Sequence, residues 1–97
     1  MRRTTMSDAR EALEAIGCFL EWYCIERFEK HAVIYAPEGS VFSSNGKGVL
    51  TIDWYKPKEG RPMDKSIGSF FRSECPSYVF WNMVIITAQN QLTKEEA

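Results

Sequence analysis

Ser7-Asp8-Ala9-Arg10-Glu11-Ala12-Leu13-Glu14-Ala15-Ile16-Gly17-Cys18-Phe19-Leu20-Glu21-Trp22-Tyr23-Cys24-Ile25-Glu26-Arg27-Phe28-Glu29 is the stretch on which the fold turns. Ser7 and Asp8 both suit a helix N-cap, and Glu11 follows Asp8 by three, close to a capping box. Beyond them Ala9, Ala12, Leu13, Ile16, Leu20, Tyr23 and Cys24 recur at helical spacing,. The spacing predicts one long helix over 7–29, with Gly17 an internal weak point costing about 1 kcal/mol against Ala.

Downstream the period changes. His31 to Ala36 is a β-branched and aromatic run that stops at Pro37-Glu38-Gly39. Val41 to Ser43 and Gly48 to Tyr55 flank Ser44-Asn45-Gly46-Lys47, and Asn-Gly between apolar runs is a strong hairpin signal. In the second arm Leu50, Ile52 and Trp54 share one face, and Val49, Thr51, Asp53 and Tyr55 the other. Lys56 to Pro62 reads as a loop, since two prolines and a glycine cannot continue a ladder. Met63, Ile67, Phe70 and Phe71 fit a short helix that ends before Pro76. Tyr78 to Thr87 is apolar on both alternating faces; its β-branched and aromatic residues favour a strand, while a buried helix fits the periodicity nearly as well. The expectation is α+β: a long N-terminal helix packed on a three- to four-stranded antiparallel sheet, with a short second helix before the last strand. Residues 1–97 read as a single domain, with 1–6 a flexible N-terminus and 89–97 a polar tail.

At 97 residues, 44% hydrophobic and 26% charged, the composition is that of a globular domain and excludes disordered and collagen-like chains,. A net charge of -1 gives no bulk attraction to nucleic acid or membrane,. Met1 to Met6 is basic but no apolar segment follows it, so a secretory signal is not expected. No run approaches the roughly 20 apolar residues of a spanning helix. Three cysteines at irregular spacing do not make a disulfide framework,. A cytoplasmic setting, bacterial or host, follows as the expectation.

Chemistry-bearing motifs are few. His31 is the single histidine, with no Ser, Cys or Asp partner at a triad spacing,; it reads as a helix-terminal residue near the last carbonyls. Cys18 and Cys24 lie roughly 120° apart around a helix, so they neither chelate together nor cross-link, and Cys24 falls on the core stripe. No metal site and no cofactor are expected. Gly46-Lys47-Gly48 lacks the full phosphate-loop pattern. Trp54, Tyr55, Lys56, Lys58 and Arg61 interleave aromatics with cations, a mixture that can stack bases and neutralise phosphates. Residues 47–65 hold five cations but three acids, which also suits a charged edge that keeps a sheet in solution.

On the long helix, Asp8, Glu11, Glu14, Glu21, Glu26 and Glu29 fall opposite the core stripe, and among them stand Cys18, Trp22 and Ile25 at i, i+4, i+7,. A second layer of the protein could cover that stripe. Alternatively Glu11, Glu14, Cys18, Glu21, Trp22, Ile25 and Glu29 form a partner-binding patch, an aromatic anchor rimmed by carboxylates. In size and style the chain resembles the small inhibitors encoded by phages and other mobile elements, including anti-CRISPR proteins. That resemblance implies a non-enzymatic protein whose acidic face mimics nucleic acid and occupies a basic, nucleic-acid-binding surface of another protein. The other readings are a single-stranded nucleic-acid-binding module using Trp54 to Lys65, and a homodimer that meets its own copy. Neither a membrane nor a small-molecule substrate is expected.

Overall fold

The first turn of the chain is fixed by capping. In the computed structural model, which describes residues 3–54 and 75–94, helix α1 spans Met6–Ala15 and Thr5 is its N-cap. The Thr5 hydroxyl accepts from the Asp8 amide, and the Asp8 carboxylate accepts from the Thr5 amide at 2.9 Å, a reciprocal capping box.

The long helix predicted over 7–29 stops at Ala15. Gly17 adopts φ +84°, its N–H donates to Glu14 at 3.0 Å, and the Cys18 N–H donates to Leu13 at 2.9 Å. That is a Schellman stop, in which only a left-handed residue lets two orphan carbonyls be satisfied at once. Leu13 and Cys18, the residues that close over it, are both buried. Gly17 is thus a terminator and not a weak point. Its bareness also serves packing, because an added Cβ would lie 3.1 Å from Pro37 Cβ.

Strand β1 follows at Phe19–Ile25, pairs antiparallel with β2 (Lys30–Tyr35), and β2 pairs antiparallel with β4 (Val49–Trp54). The register of β1 on β2 slips between Leu20 and Trp22, leaving Glu21 as a bulge,. The bulge explains the misread period. It separates the inward residues Leu20 and Tyr23 by three positions, where an unbroken strand would separate them by two. Continued from Leu13 and Ile16, that spacing imitates a helix face.

β4 alternates as expected: Leu50 and Ile52 are buried with Trp54 half-buried beside them, while Thr51 and Asp53 are exposed. The Asn45-Gly46 turn also forms. Gly46 takes φ +67°, the Lys47 N–H donates to Asn45 Oδ1, and the Phe42 N–H donates to the Lys47 carbonyl. Its two arms part, however. β3 (Ser40–Phe42) meets Lys47 by one bridge only and pairs instead with β5 (Leu92–Lys94) in a separate two-stranded sheet.

The segment expected to be the last strand is a helix, α2, at Ser77–Gln91. Pro76 fixes its entry, and Phe80, Trp81, Val84 and Ala88 are its buried residues, at the i, i+1, i+4, i+8 spacing of one helix face. Residues 89–94 of the polar tail form the end of α2 and β5. The short helix expected over 63–73 lies outside the described residues.

The class is α+β. Helices α1 and α2 pack on each other and on one face of the β1-β2-β4 sheet. Between the layers lie Leu13, Leu20, Ile34, Leu50, Phe80 and Val84. Among the described residues no helix is long and apolar enough to cross a membrane.

Candidate functional site: the outward face of the sheet

With both helices on one side, strand alternation sets what the other side shows. Register places Phe19 beside Tyr35, Trp22 beside Val33, and Cys24 beside His31, with Val49, Thr51 and Asp53 next along β4. Three aromatics dominate this face among the described residues: Phe19 is 58% exposed, Trp22 53% and Tyr35 40%. Aromatic surface left in water on this scale is characteristic of binding faces.

Carboxylates surround the rings. The Tyr35 hydroxyl donates to Glu21, and that hydrogen bond, with the charge of Glu21 and some desolvation, pushes the phenol up from its usual range. The bulge therefore puts Glu21 over the outward edge of β1. At the other end His31 is held between two acids, its Nδ1 against Asp53 Oδ1 and its Nε2 3.3 Å from Glu29 Oε1. The Trp22 ring lies 6.3 Å from the imidazole, tilted by 36°. One side of the face is thus Glu21 with Phe19 and Tyr35, and the other is Glu29, His31 and Asp53 with Trp22.

The turn between β1 and β2 is built to hold this edge. The Glu26 N–H donates to the Glu29 carbonyl at 3.1 Å. Beneath it Lys30, buried at 3% exposure, donates from Nζ to the Glu26 carbonyl at 2.5 Å and the Arg27 carbonyl at 3.0 Å. A buried ammonium is tolerated only with such partners, so Lys30 ties the turn to the core. The Arg27 guanidinium stands 4.9 Å over the Phe28 ring,.

Cys24 and His31 are not arranged as a nucleophile and its base. Cys24 neighbours His31, but desolvation, the charge and hydrogen bond of Glu26, and the charge of Glu29 all push its thiol up. A nucleophilic cysteine needs the opposite surroundings. Both imidazole nitrogens of His31 are turned to carboxylates, which leaves neither aimed at the sulfur. Among the described residues no group of three or more His, Cys, Asp or Glu is placed to hold a metal ion.

The partner patch expected on one helix is divided by the strand. Glu21, Trp22 and Glu29 come together on the outward sheet face. Glu11 and Glu14 are exposed on α1, in the helical layer, and do not join them. Cys18 is buried under the end of α1, and Ile25 is half-buried, packed against the core. The two cysteine expectations are reversed, since Cys24 is the one on the outward face. His31 sits in β2 and not at a helix end. Of the alternative nucleic-acid segment, Trp54 packs against the core, while Tyr55, Lys56, Lys58 and Arg61 lie outside the described residues. Phe19, Tyr35, His31 and Asp53 were missed as site residues. The alternation of β4 was the available signal for Asp53, and the run 31–36 for the strand facing it.

Comparison with protein-family models, with curated proteins and with solved structures gives no significant match to this chain.

Proposed function

We propose that the chain is a non-enzymatic protein-binding domain whose outward sheet face docks a basic surface of another protein. The observation that carries this reading is the exposure of Phe19, Trp22 and Tyr35 beside Glu21, Glu29 and Asp53. Exposed aromatic faces favour burial and cation stacking, and the flanking carboxylates select arginine and lysine and repel acidic surfaces. A basic surface of that kind commonly holds nucleic acid. Occupying it would make this chain an inhibitor of a nucleic-acid-binding protein, as small proteins of phages and mobile elements can be. The acidic mimicry expected of a helix is here assigned to a sheet.

The test is capture from a lysate of the native source, wild type beside Trp22→Ala and the Glu21→Lys/Glu29→Lys pair. The reading expects a basic protein, identified by mass spectrometry, that is retained by wild type, lost with both variants, and competed off by added DNA or RNA. Retention that neither variant weakens, or a captured protein indifferent to nucleic acid, would defeat it.

A further inference from the structure

The outward sheet face carries a pattern of charge along its strands. Tyr35, Val33 and His31 are its residues on the central strand β2, and each belongs to one rung across the sheet. Acid stands at both end rungs, as Glu21 on the Tyr35 hydroxyl and as Glu29 and Asp53 on either side of His31. The middle rung, Trp22 beside Val33 and Thr51, is uncharged and aromatic. Tyr35 and His31 are four residues apart, so the acidic ends are separated by about 13 Å. His31 meets Oε1 of Glu29 and Oδ1 of Asp53, and each of these half-exposed carboxylates has a second oxygen to offer.

We infer, on the reading of this face as a dock for a basic surface, that its occupant is an α-helix of the partner. The helix lies along the strands and presents two arginines two turns apart with an aliphatic residue midway. Backbone chemistry selects a helix. A segment laid on a sheet face finds no ladder there, and an extended one would bury its own N–H and C=O groups unpaired. A helix satisfies them internally. Dimensions agree. Among the described residues the sheet is three strands wide; its outer strands stand about 10 Å apart, the width of one helix. Side chains seven positions apart return to one helix face about 11 Å along the axis, and the length of an arginine covers the remaining difference. Cation, aliphatic, cation on the helix then meets acid, aromatic, acid on the sheet. Arginine suits both ends, because its guanidinium pairs with a carboxylate while lying flat on a ring. Glu21 and Tyr35 supply these groups at one end, Glu29, Asp53 and Trp22 at the other. Helices that enter the major groove are basic in the same way, so this chain would cover the element that reads the nucleic acid.

The experiment titrates the full chain into dye-labelled synthetic peptides of about four helical turns and follows fluorescence anisotropy. The first peptide is an alanine-based helix, stapled on its far side, with arginines two turns apart and a leucine midway. The second has the same composition with the arginines one turn apart, so that they reach only one acidic end. The third keeps the first spacing but is broken by two prolines. The first should bind about tenfold tighter than either of the others. Glu21→Gln should weaken it about fivefold, and not at all once one of its arginines is made glutamine; Glu29→Gln should couple in the same way to the other arginine. Both variants should keep the far-ultraviolet circular dichroism spectrum of wild type. Equal binding of the three peptides, weakened by both variants, overturns the helix and leaves the dock for a basic surface standing. Absence of binding by every arginine peptide, or binding that neither variant weakens, overturns both.

Discussion

The outward faces of the sheet and of α2 cover the same core from opposite sides, and both expose apolar side chains, yet the polar groups around those side chains differ. On the sheet, Phe19, Trp22 and Tyr35 stand among Glu21, Glu29 and Asp53, groups that read the charge of whatever approaches. On α2, Val79 and Ile86 stand among amides, of which Asn82 accepts from the Thr4 hydroxyl. Exposed apolar area alone therefore does not name a partner. The polar groups around it do, because they decide which approaching surface loses least on giving up water.

The comparison breaks at once if the two layers do not share the core described, and this carries the largest expected effect. Leu20 points inward from β1 and Trp22 outward, on either side of the bulge. Leu20→Ala should cost about 2–5 kcal/mol of stability as a buried cavity, whereas Trp22→Ala should stay within about 1 kcal/mol; chemical denaturation of both variants measures the difference. Equal losses would mean that Trp22 is covered.

Next in size is the junction that separates helix from strand. Gly17→Ala forces a Cβ into the left-handed region, at about 1–2 kcal/mol, and presses on Pro37. A lowered midpoint with an unchanged denaturant slope is the expected result.

Third, partner affinity should separate the faces. Trp22→Ala should weaken binding of the basic partner by about 2 kcal/mol, as an anchor residue does, while Ile86→Glu should leave that affinity unchanged. Titration calorimetry with the captured partner checks both.

The smallest effect is chemical. Cys24 lies on the sheet face while Cys18 and Cys75 are buried. Burial pushes Cys18 and Cys75 up, with Lys30 pulling Cys75 partly back, and desolvation with Glu26 and Glu29 pushes Cys24 up. All three thiols are thus protonated at neutral pH. Native protein should take up iodoacetamide at Cys24 alone, slowly at pH 7 and faster as the pH rises through the raised value. Mass spectrometry of the labelled peptides reads the order.

These contrasts also explain what the sequence could and could not disclose. The α+β class, the β4 alternation and the Asn45-Gly46 turn were legible because each depends on neighbours close in the chain. The end of α1 was legible in principle, since a glycine after a periodic run is a stop signal as well as a weak point. What hid it was the bulge, whose extra residue let β1 continue the helical spacing. α2 was ambiguous because an apolar run with β-branched residues suits both structures; its length and the proline before it were the better guides. At the site, Glu21, Trp22 and Glu29 were found on a mistaken helix. They still gather, because an aromatic and acids that avoid the core end on the outside of either structure. His31, Asp53 and Tyr35 come from other strands, and only the register brings them in.

The Glu21 bulge has one more consequence, which concerns solubility and not recognition. Among the described residues β1 is an edge strand, and an edge beside exposed aromatics is the combination from which chains add to one another as continuous sheets. An extra residue in mid-strand spoils the even ladder that an incoming strand would need, and it sets a carboxylate at the break. The bulge therefore works against the addition of a further strand beside the exposed aromatics. A chain with Glu21 deleted would regain an unbroken edge while Trp22 and Tyr23 kept their outward and inward faces.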